Sequence, residues 1–281
     1  AADPGAVADL LTEDTAGGVE GMRRIQHDVA AEAYVPYRDL AVAALTGRDE
    51  PLAALLASWD GTARARSTAF AAVVRLREIL AGKVLAPYLA GCRELDPRFR
   101  YAFRSIDRPL LAILATEDPA LLPPDEQALG WPEFLARCAR QAVQELRAAH
   151  PRRALPRWGR INTVGLHHPL SGLAPWSGPL LNAKPRPQPG AIHCVRTCVP
   201  GFGAAGRAVM SPGAIDTAVF ETPGGQSAHP LSAHFVDRHR AWAAPAPEPV
   251  RRRTGLCFSV LEPADRSAVA GKETRGTRRP F

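Results

Sequence analysis

The stretch around which this sequence is organised is Pro223-Gly224-Gly225-Gln226-Ser227-Ala228-His229-Pro230-Leu231-Ser232-Ala233-His234-Phe235-Val236-Asp237. Two glycines lead into a Gln-Ser pair, and small residues with spaced histidines carry the chain to an aspartate. A β-prone run at residues 217–222 stands directly in front, so the pattern predicts a tight turn that leaves a sheet. Gly224 and Gly225 can take a positive φ or let another backbone approach closely, which residues with a Cβ do only at a cost.

Composition indicates a globular protein. A chain of 281 residues with 46% hydrophobic residues can bury a substantial core. No apolar run approaches the roughly 18 residues that a membrane-spanning helix needs, so we expect no membrane partner. The five cysteines are too few and too irregularly spaced for a disulfide framework.

The formal net charge of +7 is unevenly placed. Residues 250–281 hold eight Lys or Arg and three Asp or Glu, which accounts for +5 of the total. The rest of the chain is therefore nearly neutral overall, and no basic face interleaved with aromatic residues is evident. We expect no nucleic-acid partner.

Helical periodicity dominates the first half. Met22, Ile25, Val29 and Ala33 have helical spacing, and Pro36 is expected to break or kink that helix. Four further apolar stripes follow, and the first of these four ends in an Asp60-Gly61 stop. They are Leu52/Leu55/Leu56/Trp59, Phe70/Val73/Val74/Leu80, Leu110/Leu111/Ile113/Leu114 and Phe134/Leu135/Cys138/Ala142/Leu146.

Near Pro151 the residue pattern changes from helical periodicity to short β-prone runs separated by Pro and Gly. Residues 158–168 could hold one strand, residues 206–210 and 217–222 could pair as a hairpin, and residues 256–261 alternate like a last strand. We expect an irregular loop at residues 169–200 and a disordered tail after residue 263. The predicted segments are 1–150 (helical), 151–263 (strands and loops) and 264–281 (basic tail).

Two catalytic or metal-binding hypotheses arise from polar residues. Ser227 with His229, His234 and Asp237 contains the residue types of a nucleophilic triad, but triad members are brought together by the fold and not by closeness in sequence. His193, Cys194, Cys198, His229, His234 and His239 are of zinc-ligand types, yet they lack the tight paired spacing of a structural zinc site. Hydrogen bonding within the turn is the simpler role for His229 and His234.

Several short motifs stand in a fixed order around these residues. Besides the stretch at 223–237, they are Leu10-Leu11 with Met22, Ile25, Gln26 and Asp28, then Trp59-Asp60-Gly61, Trp158-Gly159, His168-Pro169-Leu170, Pro189-Gly190 and residues 203–207. Over residues 10–263 their order resembles that of the catalytic subunit of penicillin acylases, which are N-terminal-nucleophile amide hydrolases. The family signature PGGQSGHPxSPHYxDQ is matched with departures at Ala228, Ala233, Phe235 and Arg238.

The resemblance implies an α+β fold, namely the carboxyl-terminal part of a four-layer α-β-β-α hydrolase. It also implies hydrolysis of a linear amide, with release of an acyl group from a β-lactam nucleus, a homoserine lactone or a lipopeptide. The family's nucleophile is a serine at the amino terminus of the catalytic subunit, freed by self-cleavage, with its own α-amine as base. We expect that serine and the oxyanion-hole residues to lie upstream of Ala1, so this chain alone is expected to be inactive.

No residue of this chain is therefore assigned a catalytic, cofactor-binding or metal-binding role, and no cofactor is expected. The expected partners are the upstream part of the acylase, meaning the small subunit and the nucleophile segment, and an acyl-amide substrate of the complete enzyme. Family analogy places the complete parent protein in the periplasm or outside the cell. The alternatives are a non-catalytic interaction module derived from this fold and a hydrolase built on Ser227.

Overall fold

The computed structural model describes residues 18–101, 105–151 and 154–244. Long helices occur before residue 150, while short strands, short helices and turns follow it, which confirms a mixed α+β chain. The predicted strand at residues 256–261 and the predicted tail lie outside the described residues. The three-segment division remains a prediction.

Eleven α-helices lie within the described residues. In chain order they are α1 (Val19–Gln26), α2 (Val35–Leu45), α3 (Glu50–Ala57), α4 (Thr68–Val84), α5 (Ala90–Leu95), α6 (Asp107–Thr116), α7 (Gly130–Ala149), α8 (Trp158–Ile161), α9 (Pro169–Leu173), α10 (Gly178–Leu181) and α11 (His239–Ala243). Within the described ranges, no helix has both the length and the apolar composition needed to cross a bilayer.

The starts of two helices have clear local causes. The side chain of Asp49 accepts a hydrogen bond from the Leu52 N–H (3.3 Å) and caps α3, and Ser67 accepts one from the Phe70 N–H (3.1 Å) and caps α4. Each cap satisfies a backbone donor that has no partner inside the helix. Both helices therefore begin where a short polar side chain precedes an apolar stripe.

The first helix prediction is wrong in part. α1 ends at Gln26, so Val29 lies outside it, and the next residue, Ala30, forms an isolated antiparallel bridge with Thr62. Pro36 does not break a helix but lies in the first turn of α2, where its missing N–H costs nothing. Trp59 also lies beyond the end of its predicted helix, α3.

An aromatic cluster forms the centre of the helical core. Phe70 on α4 lies 5.2 Å, between ring centroids, from each of Tyr34, Trp59 and Trp158. All four rings are at most 4% exposed. Trp158 comes from the second half of the sequence, so both halves contribute to one core.

A buried ion-pair network fastens α2, α4 and α6 together. Asp107, the first residue of α6, accepts hydrogen bonds from Arg77 Nε (2.5 Å) and Nη2 (2.7 Å) and from the Tyr37 hydroxyl (2.7 Å), and His193 Nε2 lies 3.0 Å away. Burial opposes ionisation of this carboxyl, but the hydrogen bonds from Arg77, His193 and Tyr37 hold its pKa well below the usual range.

Six short strands pair as three antiparallel ladders within the described residues. β1 (Thr163–Val164) pairs with β2 (Arg186–Pro187), β3 (Cys198–Val199) with β4 (Phe202–Gly203), and β5 (Arg207–Val209) with β6 (Val219–Glu221). The β5–β6 pair confirms the predicted hairpin. The strand predicted within residues 158–168 is confirmed in part, as β1, but the short helix α8 takes the start of that range. The predicted loop at 169–200 contains two short helices and the strands β2 and β3. The four-layer arrangement remains an expectation taken from the family.

Candidate functional site

The 223–237 stretch folds as a turn closed by its own backbone. The Ser227 N–H donates to the His234 carbonyl (3.1 Å), so the two ends of the turn meet. A Cβ on Gly225 would overlap that same carbonyl and lie 2.7 Å from Oδ1 of Asp237. Gly225 therefore permits a close backbone approach, which is one of the two roles predicted for the glycine pair. Gly224 has no comparable neighbour, because its added Cβ would meet only Leu166 at 3.6 Å.

The polar side chains of the turn hydrogen-bond locally. Ser227 Oγ accepts from the His229 N–H (3.1 Å), and His229 Nδ1 accepts from the Leu231 N–H (3.2 Å). His234 Nδ1 lies 2.9 Å from Asp237 Oδ2 in an exposed pair. The prediction that the two histidines hydrogen-bond within the turn is confirmed.

These contacts do not place Ser227 as the nucleophile of a triad. Across the part of the chain that the structure describes, no Ser or Thr hydroxyl and no Cys thiol hydrogen-bonds to a histidine ring. His234 and Asp237 form an acid-imidazole pair, but its hydroxyl partner is missing. The arrangement therefore supplies the base and the acid of a triad without the nucleophile that they would activate.

His239 anchors the turn from the following helix. Its ring nitrogens lie 2.8 Å from the Pro223 carbonyl (Nδ1) and 3.0 Å from the Lys184 carbonyl (Nε2), and the ring stacks on Trp242. Both rings are buried. α11 thereby joins the start of the turn to the segment that precedes β2.

A buried charge network joins the hairpin to α1. Glu221 on β6 lies opposite Arg207 on β5 and accepts a hydrogen bond from its guanidinium at 3.2 Å. The other carboxylate oxygen lies 3.0 Å from Nε2 of His27, and Arg23 lies 3.9 Å away. Arg196 contacts His27 Nδ1 on the opposite side of the ring. Because Arg196 can only donate, His27 Nδ1 accepts and Nε2 carries the hydrogen that faces Glu221.

The charges of this network shift the pKa of two members. Burial opposes ionisation of Glu221, yet the His27 hydrogen bond and the charge of Arg207 hold its pKa below the usual value. Burial, followed by the repulsion of Arg207, lowers the pKa of Arg196 to about 10. The network is therefore a structural clamp, with its carboxylate ionised at neutral pH.

The predicted zinc-ligand types are scattered. No group of three or more His, Cys, Asp or Glu among the described residues could hold a metal ion. His193 belongs to the Asp107 network, and Cys198 Sγ contacts the Phe202 carbonyl in the β3–β4 ladder. Burial raises the pKa of the Cys194 thiol to about 12, so at neutral pH it is neither a nucleophile nor a good ligand.

Sequence reasoning missed the partners that hold the turn in place. His27, Glu221, Arg207 and Arg196 were not predicted as a group, because no periodicity links residues so far apart. The only local signal for the clamp was an acid near the end of a β-prone run and an arginine at the start of its partner.

The fold and the turn together define a mixed α+β chain built around a glycine-dependent turn with a His-Asp pair. The model of the penicillin amidase family matches residues 6–254, and the chain belongs to this family. Membership indicates an amide hydrolase. No curated protein sequence matches the chain.

Proposed function

We propose that this chain is the carboxyl-terminal portion of the catalytic subunit of a penicillin amidase-type enzyme that hydrolyses a linear amide. In this proposal it supplies scaffold, while the nucleophile and the oxyanion-hole donors come from the upstream part of the enzyme. The acyl group is released from a β-lactam, a homoserine lactone or a lipopeptide.

The state of Ser227 carries this proposal. Its hydroxyl accepts a backbone hydrogen bond and has no imidazole to deprotonate it among the described residues. The buried thiols of Cys138 and Cys194 are equally unsuited, since burial raises the pKa of each to about 12. An amide hydrolase needs an activated nucleophile, so the state of these three groups supports a nucleophile supplied by another part of the enzyme.

An uncovered apolar surface supports an upstream partner. Leu170, Leu173, Trp176 and Leu180 are each more than half exposed within residues 170–180. Exposed apolar side chains this close together are typical of a surface that another part of a protein covers. We propose that the upstream part of the acylase covers them.

The test is hydrolysis of a chromogenic phenylacetyl amide and of a longer-chain acyl amide. The chain is assayed alone and then mixed with the upstream segment of a penicillin amidase family member. The proposal expects no turnover alone and measurable turnover on mixing. Turnover by the chain alone that Ser227→Ala abolishes would overturn it in favour of a Ser227 enzyme.

A further inference from the structure

A cleft of about 850 Å³ opens at the junction of the helical half with α8 and β2. We call it the basic cleft. It is lined by Ala65, Arg66, His150, Ala154, Leu155, Pro156, Arg157, Gly159, Arg160, Thr163, Pro185 and Pro187. Its volume lies in the range of ordinary ligand sites, which are about 300–1,000 Å³.

All the charged side chains of this lining are cationic. Arg66, Arg157 and Arg160 are exposed and contribute three guanidinium groups, and His150 adds an imidazole. Among the described residues, none of these three guanidinium groups makes an ion pair or a side-chain hydrogen bond. The nearby Asp60 pairs with Arg64 (3.5 Å) and not with Arg66. The cleft therefore has three uncompensated positive charges at its rim.

The sequence explains why no carboxylate neutralises them. Residues 146–215 contain nine Lys or Arg and not one Asp or Glu. The chain as a whole is close to neutral before residue 250, so this segment is basic because the acids are concentrated elsewhere. A positive cleft in a low-dielectric wall attracts anionic ligands and raises their rate of association.

The uncharged lining favours a polypeptide over a nucleic acid. Leu155, Pro156, Pro185 and Pro187 provide aliphatic surface suited to aliphatic side chains. No Phe, Tyr or Trp side chain is among the described residues that line the cleft, whereas proteins that bind single-stranded nucleic acid stack the bases on such rings. Three separate guanidinium groups match several carboxylates better than a single acid group does.

We propose that the basic cleft binds an acidic segment of a partner polypeptide. Carboxylates of that segment pair with Arg66, Arg157 and Arg160, and its aliphatic side chains lie against Leu155 and the three prolines. This inference goes beyond the proposed amide hydrolysis and does not depend on it.

The test is fluorescence anisotropy of the full chain with a labelled peptide of alternating Glu-Glu and Leu-Pro pairs. The cleft variant combines Arg66→Gln, Arg157→Gln and Arg160→Gln. The matched control combines Arg93→Gln, Arg98→Gln and Arg100→Gln, which removes the same charge from another part of the surface. All six arginines are exposed, so both variants keep the core intact.

Loss of three exposed ion pairs is expected to weaken peptide binding about tenfold in the cleft variant, with a smaller salt dependence. The control should bind like the unmodified chain. Absence of peptide binding would overturn the proposal. So would equal weakening in both variants, or unchanged binding in the cleft variant, since the peptide would then use charges elsewhere. If an oligonucleotide bound more tightly than the peptide, and the cleft variant lost that binding, the proposal of a polypeptide partner would be overturned in favour of a nucleic acid.

Discussion

His27 and Glu221 are separated by 194 positions in the sequence, yet His27 Nε2 lies 3.0 Å from a carboxylate oxygen of Glu221. This contact joins α1 to the hairpin from which the signature turn begins. The end of α1 and the strand that leads into the signature turn are thereby held together. Substitutions at this clamp and at three other features would measure how much each contributes to the stability or the association of the chain.

Glu221→Gln should destabilise the chain by about 3 kcal/mol, because it leaves the buried charge of Arg207 without its carboxylate. Glu20→Gln is the control, since Glu20 pairs with Arg23 at the surface and its side chain is 63% exposed. That change should cost much less, because solvent screens an exposed pair. Urea unfolding of both variants measures the difference, and equal losses would show that the clamp contributes no more than a surface pair.

Asp107→Asn should also cost about 3 kcal/mol, because Arg77 would remain buried without its counter-charge. Asp39→Asn is the matched control, since that carboxylate is 59% exposed and pairs only with its neighbour Arg38 among the described residues. Chemical denaturation gives both values. A loss confined to a few tenths of a kcal/mol in Asp107→Asn would contradict the proposed fastening of three helices.

Acid should destabilise the chain through the same carboxyl. The pKa of Asp107 is lowered on folding from 3.8, so its contribution is fully present above that pH and is lost as the pH falls toward the folded value. Glu221, with a pKa lowered from 4.5, acts in the same direction. Thermal unfolding between about pH 6 and pH 2 should show a steeper loss in the unmodified chain than in Asp107→Asn. Parallel curves would contradict this linkage.

Gly225→Ala should destabilise the signature turn, because its Cβ would overlap the His234 carbonyl. The cost is expected to be about 1–3 kcal/mol, the usual range for overpacking. Gly224→Ala is a control from the adjacent position, where the nearest atom lies at an ordinary 3.6 Å. Amide hydrogen exchange at Ser227, whose N–H closes the turn, reports the difference directly. Equal protection of the Ser227 amide from exchange in the two variants would contradict a special role for Gly225.

Leu173→Ser combined with Trp176→Ser should reduce self-association of the isolated chain. These side chains are 84% and 85% exposed and lie three residues apart in the sequence. Leu95→Ser is the control, since Leu95 is 90% exposed but lies outside residues 170–180. Light scattering coupled to size-exclusion chromatography measures the mass. A monomer in all three forms would contradict the idea that this surface needs a cover.

Local chemistry made much of the helical half predictable. The stripe at Phe134 to Leu146 matched α7, and Asp49 and Ser67 mark helix starts that a capping rule recognises. The first helix prediction failed beyond Gln26 because only Met22 and Ile25 of its four apolar positions lie in α1, and the chain leaves the helix to form the Ala30–Thr62 bridge. Periodicity does not reveal a bridge between segments.

The candidate site was predictable only where its contacts are local. The histidine contacts of the turn span two or three residues and follow from its composition. The anchor from His239 to Lys184 and the clamp from His27 to Glu221 depend on the tertiary fold. Local patterns in a single sequence do not reveal which distant residues meet. Closeness in sequence also did not predict a triad, because the Ser227 hydroxyl hydrogen-bonds to the His229 backbone N–H and not to an imidazole.

The cross-strand pair of Arg207 and Glu221 has a consequence for how this hairpin tolerates change. Side chains alternate between the two faces of a strand, so a one-residue slip would turn Glu221 away from both Arg207 and His27. The pair therefore locks the register of β5 and β6. Insertions in the connection at residues 210–218 should therefore cost less than a single residue inserted within either strand, which would move Glu221 away from Arg207 and His27.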